Sequence, residues 1–179
     1  MKTLPLLFSL IFSLCADYLF LATPYEFAGV LLFILVQSCH SQLLGIPKLL
    51  WLRNGLSLFL PLAAASCALT EKDSPLLLAA LFYFCLLFCN FIHAWSGTFK
   101  TVPWLFCVCL SMLMVCDLHV GLYNLPRFVP ELPGILLFYC RNIAFLIIWI
   151  FYIPSQLIIL LLLFYSVEAS LSDKRQIIG

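Results

Sequence analysis

Long apolar runs, broken by short polar or proline-bearing segments, dominate the chain. Residues 27–47, 74–99 and 142–167 contain no Asp, Glu, Lys or Arg. Residues 54–70 and 101–116 are also free of them and reach span length with their flanks, and residues 3–22 are interrupted only by Asp17. A hydrocarbon core roughly 30 Å thick needs about 20 apolar helical residues. The pattern therefore predicts an all-α, polytopic transmembrane helix bundle, a single integral membrane domain over 1–179, with helices at 4–22, 27–45, 49–69, 75–95, 102–123 and 142–168. Pro24, Pro47, Pro75 and Pro103 fall at starts or connections, where a missing N–H is harmless. Glu71-Lys72-Asp73-Ser74 reads as a polar turn with Ser74 as N-cap before Pro75, and Pro126, Pro130 and Pro133 mark a loop.

Residues 133–141 are apolar but too short to cross. The segment from Pro133 to Ser170 admits one long helix, two crossings, or a short interfacial helix followed by one crossing. Charge decides among them. With six spans and both termini cytoplasmic, the inner side collects Lys2, Lys48, Arg53, Lys100, Lys174 and Arg175, and the outer side Lys72, Arg127 and Arg141. That satisfies the positive-inside rule; a seventh span would move Lys174 and Arg175 outside. Residues 124–141 are accordingly expected as a loop or short interfacial helix. Pro154, within the last helix, should kink it or free a backbone carbonyl.

Composition narrows the class. Hydrophobic residues make up 65% of the 179 and charged residues only 9%, against 45–50% and about 25% in soluble domains. A soluble enzyme, a disordered chain and a disulfide-stapled secreted module are excluded. A formal net charge of +1 leaves no electrostatic footprint for nucleic acid. The N-terminus mimics a signal peptide, with Lys2, an apolar run and Ser13-Leu14-Cys15-Ala16. Leu14 is bulky where cleavage wants a small residue, so residues 1–22 read as a retained helix. The nine cysteines show no CxxC and no metal spacing; in apolar helices they are small hydrophobes first. No metal and no cofactor is expected. Without a eukaryotic retention or lipidation signal, the expected home is a bacterial plasma membrane.

Ionisable groups inside a membrane are costly and usually functional. Asp17 lies 12 residues past Pro5, and Asp117 lies 14 past Pro103. Helices one and five run the same way, so both carboxylates sit about 18–21 Å up, in the outer half of the bilayer. Facing each other, they would titrate as one unit, one protonated and one ionised, as general acid catalysis requires. The alternative is that each sits at a helix end and reaches interfacial water. Arg141 and Asn142 stand at the entrance to the last helix, His119 two residues past Asp117, and Gln156 two past Pro154. These are candidate supporting residues: Arg141 for an Asp or a lipid phosphate, Gln156 for a water. A second polar layer comprises Gln37, His40, Gln42, Arg53, Asn54, Asn90 and His93, and reads as interhelical hydrogen bonding with headgroup contacts. Trp51, Trp95, Trp104 and Tyr25 fall near helix boundaries and read as interface anchors.

The contexts of the two aspartates resemble those of the YhhN-type lysoplasmalogenase family. Ala16-Asp17-Tyr-Leu-Phe-Leu, followed by Phe27-Ala-Gly29, Phe33, Gln37 and His40, is similar to its first Asp motif. Cys116-Asp117 with Leu122 and Phe128 is similar to the second, and Tyr152-Ile-Pro-Ser-Gln156-Leu-Ile158 to its closing Tyr-x-x-x-Gln-Leu-Ile. The Cys-Asp and Phe-Tyr-x-Pro-Ser-Gln segments are more similar still to short membrane proteins of Firmicutes. The resemblance covers most of the chain, with departures. The family's first two of eight helices have no counterpart, Gln37 and His40 stand at its His and Tyr, and Ala-Asp and Cys-Asp replace Gly-Asp and Ser-Asp. Missing helices would leave an open site or call for a homo-oligomer.

The resemblance implies hydrolysis of the vinyl ether of a lysophospholipid drawn from the membrane. That chemistry needs an acid to protonate carbon, a negative charge beside the oxocarbenium ion, and a held water. It implies Asp17 and Asp117 as the catalytic pair, each able to take either role, with Gln156 on the water and Arg141 or His119 on the phosphate. The competing readings are a non-enzymatic small membrane transporter and a structural membrane partner whose aspartates pair between helices.

Overall fold

The computed structural model describes residues 3–69, 75–96, 103–129 and 131–178, without the side chains of 68, 69 and 173–178. The described residues are helical, with no strand among them. Five helices, α1 (Thr3–Ala22), α2 (Glu26–Leu43), α3 (Lys48–Leu69), α4 (Pro75–Trp95) and α5 (Trp104–Asn124), precede a 3₁₀ turn at Leu125–Arg127. A short α6 (Gly134–Phe138) then runs through a π-helical turn (Tyr139–Ile143) into α7 (Ala144–Ile178). Among the described residues, six helical stretches are long and apolar enough to cross a membrane.

Local chemistry sets the boundaries. Gly45, at φ 71°, ends α2. Ile46 N–H donates to the Ser41 carbonyl at 3.0 Å and Gly45 N–H to that of Gln42 at 3.2 Å, a Schellman motif that uses the conformational freedom of glycine. Pro47, Pro103 and Pro133 each present a carbonyl to the first turn of the helix that follows. α7 continues through Pro154, which has no N–H to offer the Ile150 carbonyl.

The expected loop or interfacial helix at 124–141 divides differently. Its first part is the 3₁₀ turn, but from Gly134 the chain is helical without a break into α7. Pro133 starts this helix (Leu137 N–H to Pro133 carbonyl, 2.9 Å). The π turn absorbs one extra residue instead of ending the helix. The last span thus begins eight residues before the expected 142. The Ser74 turn, Lys2, Lys72, Lys100 and Pro130, and the side chains of Lys174 and Arg175, lie outside the described residues.

Packing closes a ring. α1 packs on α2, α2 on α4, α4 on α5, α5 on α7 and α7 on α1, while α3 lies outside against α4. The core draws Leu6 from the start of α1, Leu43 from the end of α2, Phe106 and Leu110 from the start of α5, and Ile159 from the second half of α7. Successive helices therefore alternate in direction, and the core fills the end of the bundle holding the α2–α3 turn. Trp51, expected at an interface, is buried in this core, whereas Trp95, Trp104 and Tyr25 are exposed. Leu, Ile and Phe side chains cover the outer faces of the helices, as lipid-facing surfaces do. At the other end, Arg127 pairs with Glu26 at 3.0 Å.

Candidate active site

Asp17 and Asp117 sit in the half of the bundle opposite the apolar core, and each carboxylate receives a hydrogen bond from a tyrosine of another helix. Tyr152 Oη of α7 donates to Asp17 Oδ2 of α1 at 2.6 Å. Tyr83 Oη of α4 donates to Asp117 Oδ2 of α5 at 2.5 Å. The two carboxylates do not bond each other. Between their helices stands α7, which packs on both α1 and α5. The two acids therefore stand apart, each bonded to its own tyrosine.

Aromatic ladders aim the two tyrosines. Gly29 admits the Phe20 ring, since a Cβ there would lie 2.7 Å from Phe20 Cε2. Phe20 then packs on Phe33 (centroids 5.9 Å) and Phe33 on Tyr83 (5.7 Å). On the other side Phe145, Trp149 and Tyr152 follow each other along α7 at 6.3 and 6.2 Å. Phe145, Trp149, Tyr152 and Gln156 are spaced by four, three and four residues, one face of a helix.

That face of α7 and one face of α1 enclose a groove of about 310 Å³, lined by Ser13, Asp17, Trp149, Tyr152 and Gln156 among apolar neighbours such as Leu14. Leu14, Ile153 and Leu157 at its edges are exposed on the outer surface, so it faces where lipid would lie. Ser13 stands one turn from Asp17, and its hydroxyl is buried and without a hydrogen-bond partner. A wider hollow of about 620 Å³ also touches Asp17, but its lining comes from α1 alone, so no second helix encloses it. Asp117 is not part of either lining.

The other expected site residues are placed as follows. Gln156 lines the groove one turn from Tyr152. His119 accepts from Tyr139 Oη at 2.9 Å through Nε2, with Nδ1 on the Val115 carbonyl at 2.7 Å; it ties α5 to the π turn. Arg141 and Asn142 are exposed, and Asn142 Nδ2 donates to the Phe138 carbonyl of its own helix at 3.0 Å. Eleven residues separate Arg141 from Tyr152, about 16 Å along the axis.

Sequence reasoning missed Tyr83 as a site residue, gave Tyr152 no role and did not single out Ser13. The available signal was depth. Tyr83 is eight residues inside α4, and a phenol that far from an interface needs a buried partner. Comparison with protein-family models, with curated proteins and with solved structures returns no match.

Proposed function

We propose that the protein is an intramembrane hydrolase that cleaves the vinyl ether of a lysophospholipid in the α1–α7 groove. The observation that carries this reading is the placement of Asp17. It is an acid held by a mid-span tyrosine, at the wall of an apolar groove that opens toward lipid. Asp17 in its protonated form donates its proton to the β-carbon of the vinyl ether. The resulting oxocarbenium ion faces the Asp17 carboxylate. A water oriented by Gln156 attacks the cationic carbon and returns a proton to Asp17. The hemiacetal then collapses to a fatty aldehyde and a glycerophospho-headgroup. Asp117, held by Tyr83 and set across α7 from Asp17, is the second carboxylate of the pair. The resemblance of the two aspartate contexts to those of lysoplasmalogenases supports the same chemistry.

The test is aldehyde release by purified protein from a lysoplasmalogen, beside the saturated alkyl-ether analogue. Wild type releases aldehyde from the vinyl ether only. Asp17→Asn lowers the rate by roughly 10²–10⁴-fold, the usual contribution of a general acid. Aldehyde release unchanged in Asp17→Asn would overturn the assignment.

One observation favours a second reading. Both Asp–Tyr bonds run between helices, α1 to α7 and α5 to α4, as in a structural membrane partner. On that reading wild type releases no aldehyde, and Tyr152→Phe and Tyr83→Phe lower thermal stability alike.

A further inference from the structure

A second buried polar cluster lies two turns along α2 and α4 from the aspartate–tyrosine site. Asn90 Nδ2 donates to Gln37 Oε1 at 3.0 Å and to the Gln37 backbone carbonyl at 2.9 Å. Gln37 is 1% exposed, and His40 and Asn90 are 0% exposed. Even so, Gln37 Nε2, Asn90 Oδ1 and both ring nitrogens of His40 have no hydrogen-bond partner in the protein. The His40 ring meets the Phe106 ring edge-on, centroids 5.4 Å apart, so its surroundings supply packing but no polar contact. Buried polar groups in native proteins are met by protein or by internal water. Lipid offers no substitute.

The unmet groups define what fits. Gln37 Nε2 is a donor, Asn90 Oδ1 an acceptor, and a neutral imidazole one of each. A cation would face the amide and ring N–H groups. An anion would face the amide oxygens, with no fixed positive charge among the three residues. Water donates and accepts, and it matches the set. We propose that Gln37, His40 and Asn90 form an internal water site of the bundle. Resting on the hydrolase reading, it stores the water that vinyl-ether cleavage consumes. The register favours that role. Phe33, Gln37 and His40 share a face of α2, as Tyr83 and Asn90 share one of α4. The store lies about 10 Å along α4 from Tyr83, whose ring packs tilted against that of Phe33 at 5.7 Å.

X-ray radiolytic footprinting of the full chain in lipid nanodiscs, read by mass spectrometry without substrate, tests the site directly. Internal water oxidises side chains beside it even where bulk solvent cannot reach. His40 and Phe106 should be oxidised in wild type and lose that oxidation in Gln37→Leu/Asn90→Leu, while exposed Trp104 is oxidised in both. His40→Phe is the second variant should the double one fail to fold; Phe106 should lose its oxidation there. Unoxidised His40 and Phe106 in wild type overturn the site whatever the variants do. Oxidation without any aldehyde release from wild type keeps the water site and sinks the hydrolase reading. Oxidation lost in Gln37→Leu/Asn90→Leu with aldehyde release unchanged overturns the storage role.

Discussion

At Asp17 the hydroxyl of Tyr152 supplies the hydrogen bond that bulk water would supply at a protein surface. The bond also fixes which way the carboxyl group points, and so places its reactive oxygen against the groove. Tyr152→Phe keeps the ring and its edge-on contact with Trp149 but removes the donor. A hydrogen bond to a charged group contributes about 1.5–3 kcal/mol. If it acts on the carboxylate formed in the reaction, aldehyde release falls roughly 10- to 100-fold. Tyr83→Phe should cost less, because Asp117 does not line the groove; steady-state kinetics of the two variants check the order. The aspartates were legible in the sequence because a charge in an apolar run has few innocent explanations. The tyrosines were not, because a tyrosine is apolar in body and polar at its tip. It reads as an interface anchor until its depth in a particular helix is known. Arg141 and His119 show the converse. Their charge and ring drew notice; in the structure Arg141 is exposed and His119 bonds Tyr139.

Helix starts were readable where a proline marked them: Pro47, Pro75 and Pro103 each precede or open a helix in the structure. The π turn at Tyr139–Ile143 was not readable. One extra residue in a turn changes neither composition nor hydropathy, yet it turns a segment expected as loop into the first part of the last span. It also brings Tyr139 to His119. Close approach between elements is similarly silent until neighbours are known. Gly55 of α3 lies against the Leu86 side chain of α4, and a Cβ added there would collide with Leu86 Cδ2. Leu86 is fully buried and has little room to yield. Gly55→Ala should therefore destabilise the α3–α4 contact by about 1–3 kcal/mol, the usual cost of overpacking. Thermal unfolding in detergent should show a lower midpoint. Because α3 lies outside the ring, aldehyde release per folded molecule should stay as in wild type. A midpoint at or above the wild-type value would mean that the two helices do not pack this closely.

Across the whole molecule, five spans form a closed ring with an apolar core at one end, two acids at the other, and an outer surface of Leu, Ile and Phe. The alternation of direction and the even number of long helices put the start of α1 and the end of α7 at one end of the bundle. The distribution of Lys and Arg predicts that side to be the cytoplasm. A green fluorescent protein fused after Gly179 should fluoresce in cells and an alkaline phosphatase fused there should be inactive; the opposite pair of results would invert the topology. This level was the most legible, since span count follows from hydropathy alone. The order of helices around the ring was not, because apolar side chains in lipid carry no pattern that names their neighbours. That order puts α7 between the two acids. The measurement that tests the central claim most directly is vinyl-ether cleavage in heavy water, with the aldehyde trapped as it forms. Protonation on carbon by Asp17 predicts one deuterium on the carbon next to the aldehyde carbonyl in the wild-type product, and product formed roughly 10²–10⁴-fold more slowly with Asp17→Asn. Aldehyde without deuterium at that carbon, or no aldehyde from folded wild type, would contradict the account.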